Sequence, residues 1–495
     1  MTIPDQRPAP SVLEAAIPVA SLILLVALSY YLFGDAGGGG PNQVALIVAT
    51  MIAVLLAWRR GHTLHDLGGA AIASVESGLG AIFILFAVGA LIGTWAMSGT
   101  LVAMVYYGLQ ILNPNYFYVT AAAICGVVSF GIGSSWTVAG TIGIGLMGIS
   151  ANMGLDPAIT AGAIISGAYF GDTTSPLSDS ANLAAGVGNA NLYHHIREML
   201  PTSLGALAIS LGIFWLLGSP GSFDATDKML AIGAAFHISL ILFLPLVVVV
   251  VMALLKVPPF TTIFTGALLG GVLAVVVAPE RVLAFADPAA GVPSWLGCIK
   301  GVWQALASGY VSTTGQPALD QVATRGGMSS MLSTVWLIIS AFAFGGVAEK
   351  TGVLDRLISP IVRTARTSGR LIASLVVSVL AAGISTADQY LAIVLPGRML
   401  KQAFAERGLA PIVLSRSVGA SATPTSALIP WNSCGAYLAT TLGVATLSYA
   451  PYAIFGFASP LLTIAAGYMG FRILRAAPVT GDVSDSQEAG AADKD

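Results

Sequence analysis

Apolar runs alternate with short polar loops along this chain, and the run lengths define the first elements. Stretches near 12–33, 42–58, 77–97, 201–218, 229–254, 259–279, 331–349 and 450–472 are each apolar for about the length a helix needs to cross a bilayer. The first, Val12–Phe33, is long enough to span and no clean small-residue cleavage motif follows it, so it is read as a retained span. Two regions, 116–190 and 371–445, break the pattern. Each carries apolar legs of about 14 residues that meet at a polar bend, Gly131-Ile-Gly-Ser134-Ser135-Trp-Thr137 in one and Ile384-Ser385-Thr386-Ala-Asp388-Gln389-Tyr390 in the other. Such a leg reaches only about 21 Å, against a hydrocarbon core of roughly 30 Å. The legs are therefore expected to be re-entrant hairpins whose tips stop near mid-membrane. Irregular backbone at that depth is tolerated only where it is buried in protein or lines a wet cavity.

The same two regions read as copies of one broken helix. The first copy runs Ile165-Ser-Gly-Ala-Tyr-Phe-Gly-Asp172-Thr-Thr-Ser175-Pro176-Leu-Ser178-Asp179-Ser-Ala-Asn182, and the second Gly419-Ala-Ser-Ala-Thr-Pro424-Thr425-Ser426-Ala-Leu-Ile-Pro430-Trp-Asn432. Pro176 falls with Pro430 and Ser178 with Asn432 at one constant offset of 254, which also aligns Gly154-Leu-Asp-Pro157 with Gly408-Leu-Ala-Pro411. In an apolar chain, matched segments interrupted by proline and polar residues point to the binding site of a transporter.

Composition agrees and excludes other classes. Charged residues make up 9% of the 495 positions and hydrophobic ones 56%, whereas a soluble domain carries roughly 25% charged residues. No single soluble core could hide that much apolar surface, so the solvent is lipid. A net charge of −2 argues against a nucleic-acid partner. Cys125, Cys298 and Cys434 stand at unrelated spacings that suit neither a disulfide framework nor a metal site. No Walker-type loop occurs, so energy must come from an ion gradient, and no cofactor is expected. Gly140-x₂-Gly143-x-Gly145 reads as close helix packing. An enzyme is not expected, because no histidine or cysteine accompanies the intramembrane acids.

Basic residues set the topology. Arg59 and Arg60 follow the second span, Arg356, Arg363, Arg366 and Arg370 follow 331–349, and Arg472 and Arg475 follow the last span. Loops 101–117 and 147–156 hold no Lys or Arg. The positive-inside rule puts the Arg-rich loops in the cytoplasm and their counterparts outside, so the repeats are inverted and both termini are cytoplasmic. The expected organisation is an all-α polytopic membrane protein with inverted repeats, each holding a re-entrant hairpin and a discontinuous helix, and about ten crossings. It divides into a tail and two spans (1–76), the first repeat (77–190), three connecting spans and a loop (191–330), the second repeat (331–447), a last span (448–475) and a disordered cytoplasmic tail (476–495).

Charge inside a bilayer costs at least ~2.5–3.5 kcal/mol per group, so Asp172, Asp179 and Asp388 call for an explanation. Beside them stand Ser134, Ser135, Thr174, Ser175, Ser178 and Asn182 at one break, and Thr386, Thr425, Ser426 and Asn432 at the other. Carboxylate, hydroxyl and amide oxygens, with carbonyls freed by unwinding, suit a hard cation such as Na⁺. A desolvated carboxylate also takes a proton readily, and competition of Na⁺ and H⁺ for one group is the simplest basis for antiport. Asp179 and Asp388 are the expected carriers, with Asp172 completing the Na⁺ set. A small organic acid or amino acid is the alternative cargo, since half-helix N-termini attract carboxylates; the converging acids favour a cation.

Structural roles are available to the same residues. Asp179 or Asp172 could cap a half-helix, Asp388 could pair with Arg398 or Lys401, and Thr425, Ser426 and Asn432 could satisfy backbone opened by Pro424 and Pro430. Glu76 reads as interfacial and Glu349-Lys350 as a helix-end pair. His62, His65, His194 and His195 are expected as solvated residues of cytoplasmic loops.

The string Gly171-Asp172-Thr-Thr-Ser175-Pro176-Leu-Ser178-Asp179 resembles the hallmark of the NhaC family of sodium/proton antiporters. The resemblance extends to Gly89-Ala-Leu-Ile-Gly-Thr94-Trp95, to Asp388-Gln389-Tyr390 through Pro396-Gly397-Arg398-Met399, and to Leu428-Ile-Pro430-Trp431-Asn432, spanning roughly 75–445. The chain departs from the family pattern at Thr173, where a basic residue is usual. The resemblance implies Na⁺ and H⁺ as transported ions, ion binding at Asp172, Asp179 and Asp388, and residence in the cytoplasmic (inner) membrane of a bacterium. It also implies organic cargo in some members and a homodimer in the lipid bilayer.

Overall fold

The computed structural model describes residues 10–218, 229–230, 232–233, 238–289, 291–312, 324–363 and 367–476. Among them the fold is all-helical, with two isolated bridges (Tyr310 to Arg325, Leu409 to Arg475) as the only extended pairing. Helices α1 (Val12–Phe33), α2 (Pro41–Arg59), α3 (Leu64–Ser77), α4 (Leu79–Ser98) and α5 (Thr100–Ile111) lead into the first broken region. That region comprises α6 (Phe117–Ile132), α7 (Ser135–Val138), a π-helical stretch Ala139–Gly143, α8 (Ile144–Met153), α9 (Pro157–Thr174) and α10 (Asp179–Val187). Helices α11 (Leu192–Leu216), α12 (Leu244–Leu254), α13 (Pro259–Val277), α14 (Pro279–Ala286) and α15 (Ser294–Ser308) connect it to α16 (Leu332–Lys350) and α17 (Val353–Arg363). The second broken region holds α18 (Ser368–Thr386), α19 (Gln389–Glu406), α20 (Pro411–Ser426) and α21 (Ser433–Leu442), followed by α22 (Thr446–Tyr449) and α23 (Ile454–Met469).

Eight helical segments among the described residues are long and apolar enough to cross a membrane, and the pair Thr446–Tyr452 and Ile454–Met469, bent by 54°, adds a ninth if counted as one span. This is a multi-pass membrane protein. Local signals place the helix ends: Ser11 and Glu14 form a capping box at α1, and Asp156 caps α9 with Pro157 at its first position. Within the bundle, small residues allow close approach. A methyl group on Gly167 of α9 would come within 2.0 Å of the Ala122 carbonyl of α6, which is why that pair packs backbone to backbone.

The two broken regions repeat one backbone pattern at the offset of 254. Gly133 and Ala387 both turn left-handed (φ 79° and 58°), as do Gly154 and Gly408 (70° and 63°) and Asn189 and Gly443 (53° and 73°). Ser134 and Asp388 are helix N-caps, and so are Ser178 and Asn432. Each region's last half-helix crosses onto the other region, α10 against α19 and α21 against the π-helical stretch. The crossing points are glycines at equivalent positions, Gly397 under Val187 and Gly143 under Leu442.

Several sequence expectations change in detail. The first legs are longer than about 14 residues, α6 with 16 and α18 with 19, and both belong to segments long and apolar enough to cross a membrane, so leg length does not make them re-entrant. Helix persists to the tip because a single left-handed residue makes the reversal, while the Thr386 hydroxyl donates back to the Ala382 carbonyl at 2.9 Å. The span read as 201–218 begins at Leu192, capped by Asn191. His62 is buried, not solvated, and so is His195, because α11 turns it onto α20, where its Nδ1 meets the Ser415 hydroxyl. The 229–254 span is described only in part, and the N-terminal tail to residue 9 and the C-terminal tail from 477 lie outside the described residues.

Candidate functional site

The breaks of the two regions face a common cavity of about 770 Å³. Ser134, Asp172, Asp179, Asn182 and Asp388 line it, together with Trp136, Ser180, Gln389, Tyr390, Ser433 and Cys434. Exposed Tyr193, at the start of α11, and Lys256, just beyond α12, also border it.

At the first break the chain leaves α9 at Ser175 and re-enters helix at Asp179, since Pro176 has no N–H with which to continue the ladder. Asp172, in the last turn of α9, is buried and takes four hydrogen bonds. Ser135 gives two to Oδ2, from its N–H at 3.2 Å and its hydroxyl at 2.6 Å, while Ser178 and Ser180 reach Oδ1 at 2.6 and 3.2 Å. Both oxygens are thus engaged, and the carboxylate ties the tip of one hairpin to the break of the neighbouring helix. Hydrogen bonds to a charged group are worth ~1.5–3 kcal/mol each, so this set braces the bend.

The second break carries an equivalent knot with the acceptor moved. Positions 135, 172 and 180 correspond to Gln389, Ser426 and Cys434. Here Gln389 accepts, from the Ser426 hydroxyl at 3.0 Å and the Cys434 thiol at 3.1 Å. No charge is present in this second knot. Asn432 caps α21 by accepting from the Cys434 N–H at 3.0 Å, as Ser178 caps α10.

Two carboxylates remain. Asp388 is the N-cap of α19, its Oδ1 accepting from the Leu391 N–H at 2.8 Å, so it does not pair with Arg398 or Lys401. Asp179 opens α10 from an exposed position on the cavity wall, and the cap there is Ser178. The equivalents of these two acids in the opposite repeat are serines that also line the cavity, Ser134 for Asp388 and Ser433 for Asp179. Tyr390 lines the same cavity as Asp172, Asp179 and Asp388. The three do not converge on one point: among the described residues no three His, Cys, Asp or Glu side chains gather tightly enough to hold a single metal ion.

Other residues singled out in the sequence serve the backbone. Thr174 donates to Phe170, Thr386 to Ala382 and Thr425 to Ser421, each to a carbonyl one turn back. The Ser175 hydroxyl accepts from the Leu177 N–H, and Asn182 donates to the Ser178 carbonyl. Arg416 is buried away from the cavity, donating to the carbonyls of Glu198 and Phe471. Sequence reasoning missed Ser180, Gln389, Ser433, Cys434, Trp136 and Tyr390; the 254 offset carries Ser135 to Gln389 and Asp179 to Ser433 and would have found those two, whereas Ser180 with Cys434 and Trp136 with Tyr390 pair only with each other. It also missed Lys256, which no repeat marks.

Comparison with known proteins finds relatives along most of the chain. A sequence model of the Na⁺/H⁺ antiporter family matches residues 167–471. The Na⁺/H⁺ antiporter NhaC of Alkalihalophilus pseudofirmus is 35% identical over 87% of this chain and 91% of its own length. A malate-2H⁺/Na⁺-lactate antiporter of Bacillus subtilis is 34% identical, covering 93% of this chain and 95% of its own. The arginine/ornithine antiporter ArcD of Halobacterium salinarum is 32% identical, with 95% and 94% covered. With a family match over more than half its length and relatives this similar from end to end, the chain belongs to the Na⁺/H⁺ antiporter family.

Proposed function

We propose that the protein exchanges Na⁺ for H⁺ across the cytoplasmic membrane of a bacterium, with Asp179 and Asp388 as the groups for which ion and proton compete. One observation carries the reading. Two acids from opposite repeats face one cavity without a cationic partner at hydrogen-bond distance among the described residues, whereas Asp172 has both oxygens engaged by neighbouring donors. A carboxylate surrounded by hydroxyls and opened helix ends offers Na⁺ the oxygens it prefers, and it must take either the ion or a proton when enclosed. Repeat exchange of the two broken units then gives alternating access, with no catalytic step on the cargo. The cavity mouth at Tyr193, in the first turn of α11, and Lys256, just beyond α12, lies at helix ends that the positive-inside rule puts in the cytoplasm, on the same side as both termini.

A second reading has its own support. The cavity is far larger than a bare ion, and Lys256 borders it, which suits a small organic acid or amino acid travelling with or against Na⁺ and H⁺. The relatives named for malate and arginine exchange match 93% and 95% of this chain. Everted vesicles from a strain without its own antiporters decide between the two. Na⁺ alone should collapse a preformed pH gradient, and Asp179→Asn and Asp388→Asn should each abolish the effect. A collapse that needs Na⁺ plus an organic solute selects the second reading. Wild-type exchange in both variants would refute the assignment of the carriers.

A further inference from the structure

Each repeat has an aromatic residue two positions beyond the N-cap of its hairpin tip, Trp136 after Ser134 and Tyr390 after Asp388, and both line the cavity. Their surroundings differ. Trp136 stacks flat on Tyr437 of α21, with ring centroids 4.1 Å apart and planes within 6°. The Tyr437 hydroxyl donates to the Trp136 carbonyl at 2.7 Å, so ring and backbone are both fastened across the repeat boundary. This closeness requires Gly140, where a methyl group would lie 2.5 Å from the Tyr437 oxygen. Tyr437 itself is fully buried.

Position 437 corresponds to Leu183 of α10, which offers Tyr390 no ring. Tyr390 is 47% exposed and, among the described residues, stacks on no other aromatic. The framework under both aromatics is nevertheless the same, since the half-helices cross at Gly143 and Gly397 alike. One aromatic contact is therefore made and its counterpart is open, within an otherwise matched pair. The open one belongs to the side of α10, which leads directly into Tyr193 at the cavity mouth.

We propose that Trp136 and Tyr390 are alternating gates of the transport cavity: the Trp136–Tyr437 stack seals the face away from Tyr193, and Tyr390 swings onto α10 when that stack parts. The proposal rests on the alternating-access reading above, because only an exchange of the two repeats' conformations would interchange the two positions. An aromatic face-to-face contact suits such a gate, since it excludes water when shut yet holds no charge that would trap a passing cation.

The test is sidedness of labelling. Ile84→Cys places a thiol on the cavity wall, in a background of Cys125→Ala, Cys298→Ala and Cys434→Ser. A membrane-impermeant maleimide is applied to everted and to right-side-out vesicles. The parent should label from one side only. Tyr437→Leu, which gives the second repeat the residue of the first, should raise labelling from the opposite side at least several-fold. Leu183→Tyr, which gives Tyr390 a partner, should lower labelling from the original side, and Tyr437→Phe should keep the parent pattern because the rings still stack. If Tyr437→Leu does not fold, Leu183→Tyr at its half-buried helical position decides alone. Parent-like sidedness in the folded Leu183→Tyr and Tyr437→Leu proteins would overturn the proposal. Labelling needs no cation, so switched sidedness without Na⁺-driven proton movement would remove the Na⁺/H⁺ reading and leave the gates standing.

Discussion

Asp388→Asn should silence exchange while leaving α19 intact, and Asp388→Ala should damage both. The argument starts from the cap. Asp388 Oδ1 holds the Leu391 N–H at 2.8 Å, one of the first donors of α19 that has no partner within the helix. Asparagine caps as well as aspartate does, so the variant keeps this bond, whereas alanine loses about 1 kcal/mol, within a range of roughly 0.5–2. At ~1.4 kcal/mol per tenfold, the alanine variant should open its first turn about fivefold more often. Hydrogen exchange at the Leu391 amide, followed by mass spectrometry in lipid nanodiscs, reads that ratio directly. The asparagine variant should fall within about twofold of the parent, and the alanine variant should exchange about fivefold faster.

Transport separates the two roles. An amide neither binds nor releases a proton near neutral pH, so both variants should lose Na⁺-dependent proton movement in everted vesicles. Retained exchange in Asp388→Asn would refute the carrier role. Unchanged Leu391 protection in Asp388→Ala would refute the cap. Equal damage to the amide in both variants would mean that the negative charge, and not the hydrogen bond, holds the turn.

Three further outcomes follow from the same geometry. Asp172→Leu leaves the Ser135 N–H without an acceptor in a buried place, at a cost of ~1–3 kcal/mol, while Asp172→Asn lets the Ser178 and Ser180 hydroxyls rotate to accept from the new amide. The leucine variant should therefore give a lower thermal midpoint and less monodisperse protein in detergent than the asparagine variant. Gly133→Ala should fail to yield folded protein, because its φ is 79° and the new methyl group would lie 2.6 Å from the Leu177 carbonyl carbon. Ala387→Gly at the matching turn should be neutral or stabilising by up to ~1 kcal/mol in a denaturation titration, since a left-handed alanine is already strained. Gly186→Ala is the control: it is exposed, helical and meets nothing within 4 Å, so it should not lower stability.

Much of this architecture was legible because lipid imposes long uninterrupted apolar runs, and α1, α2, α4, α13 and α16 end close to where hydropathy falls. The 254 offset was legible for a related reason: a proline at a helix break has no N–H to continue the ladder, so Pro176 and Pro430 mark the breaks in otherwise apolar stretches. Hydrogen-bond direction was not legible. In the first knot the acceptor is Asp172 on the helix, and in the second it is Gln389 on the hairpin tip, so equal positions exchange donor and acceptor roles. Burial of single polar residues was also hidden. His194 and His195 are neighbours in a polar string, yet the helix turns the first outward and the second into the contact with Ser415.

The differences between repeats bear on mechanism more than the likeness does. Asp388 and Ser134 are equivalent, and so are Asp179 and Ser433, so each repeat contributes one acid at a position where the other has a hydroxyl. Asp388 is buried and Asp179 is exposed in the present conformation, while Ser134 is half-buried and Ser433 is buried. Exchanging the two repeats' conformations would move Asp179 into the buried surroundings that Ser433 has now, and Asp388 into the more open surroundings of Ser134. One acid is thus enclosed as the other is released, in either direction. An enclosed carboxylate without a cationic partner is too costly to persist, so each change of face would require the acid being buried to carry either Na⁺ or a proton. That requirement would couple the two ions without any site that must hold both at once.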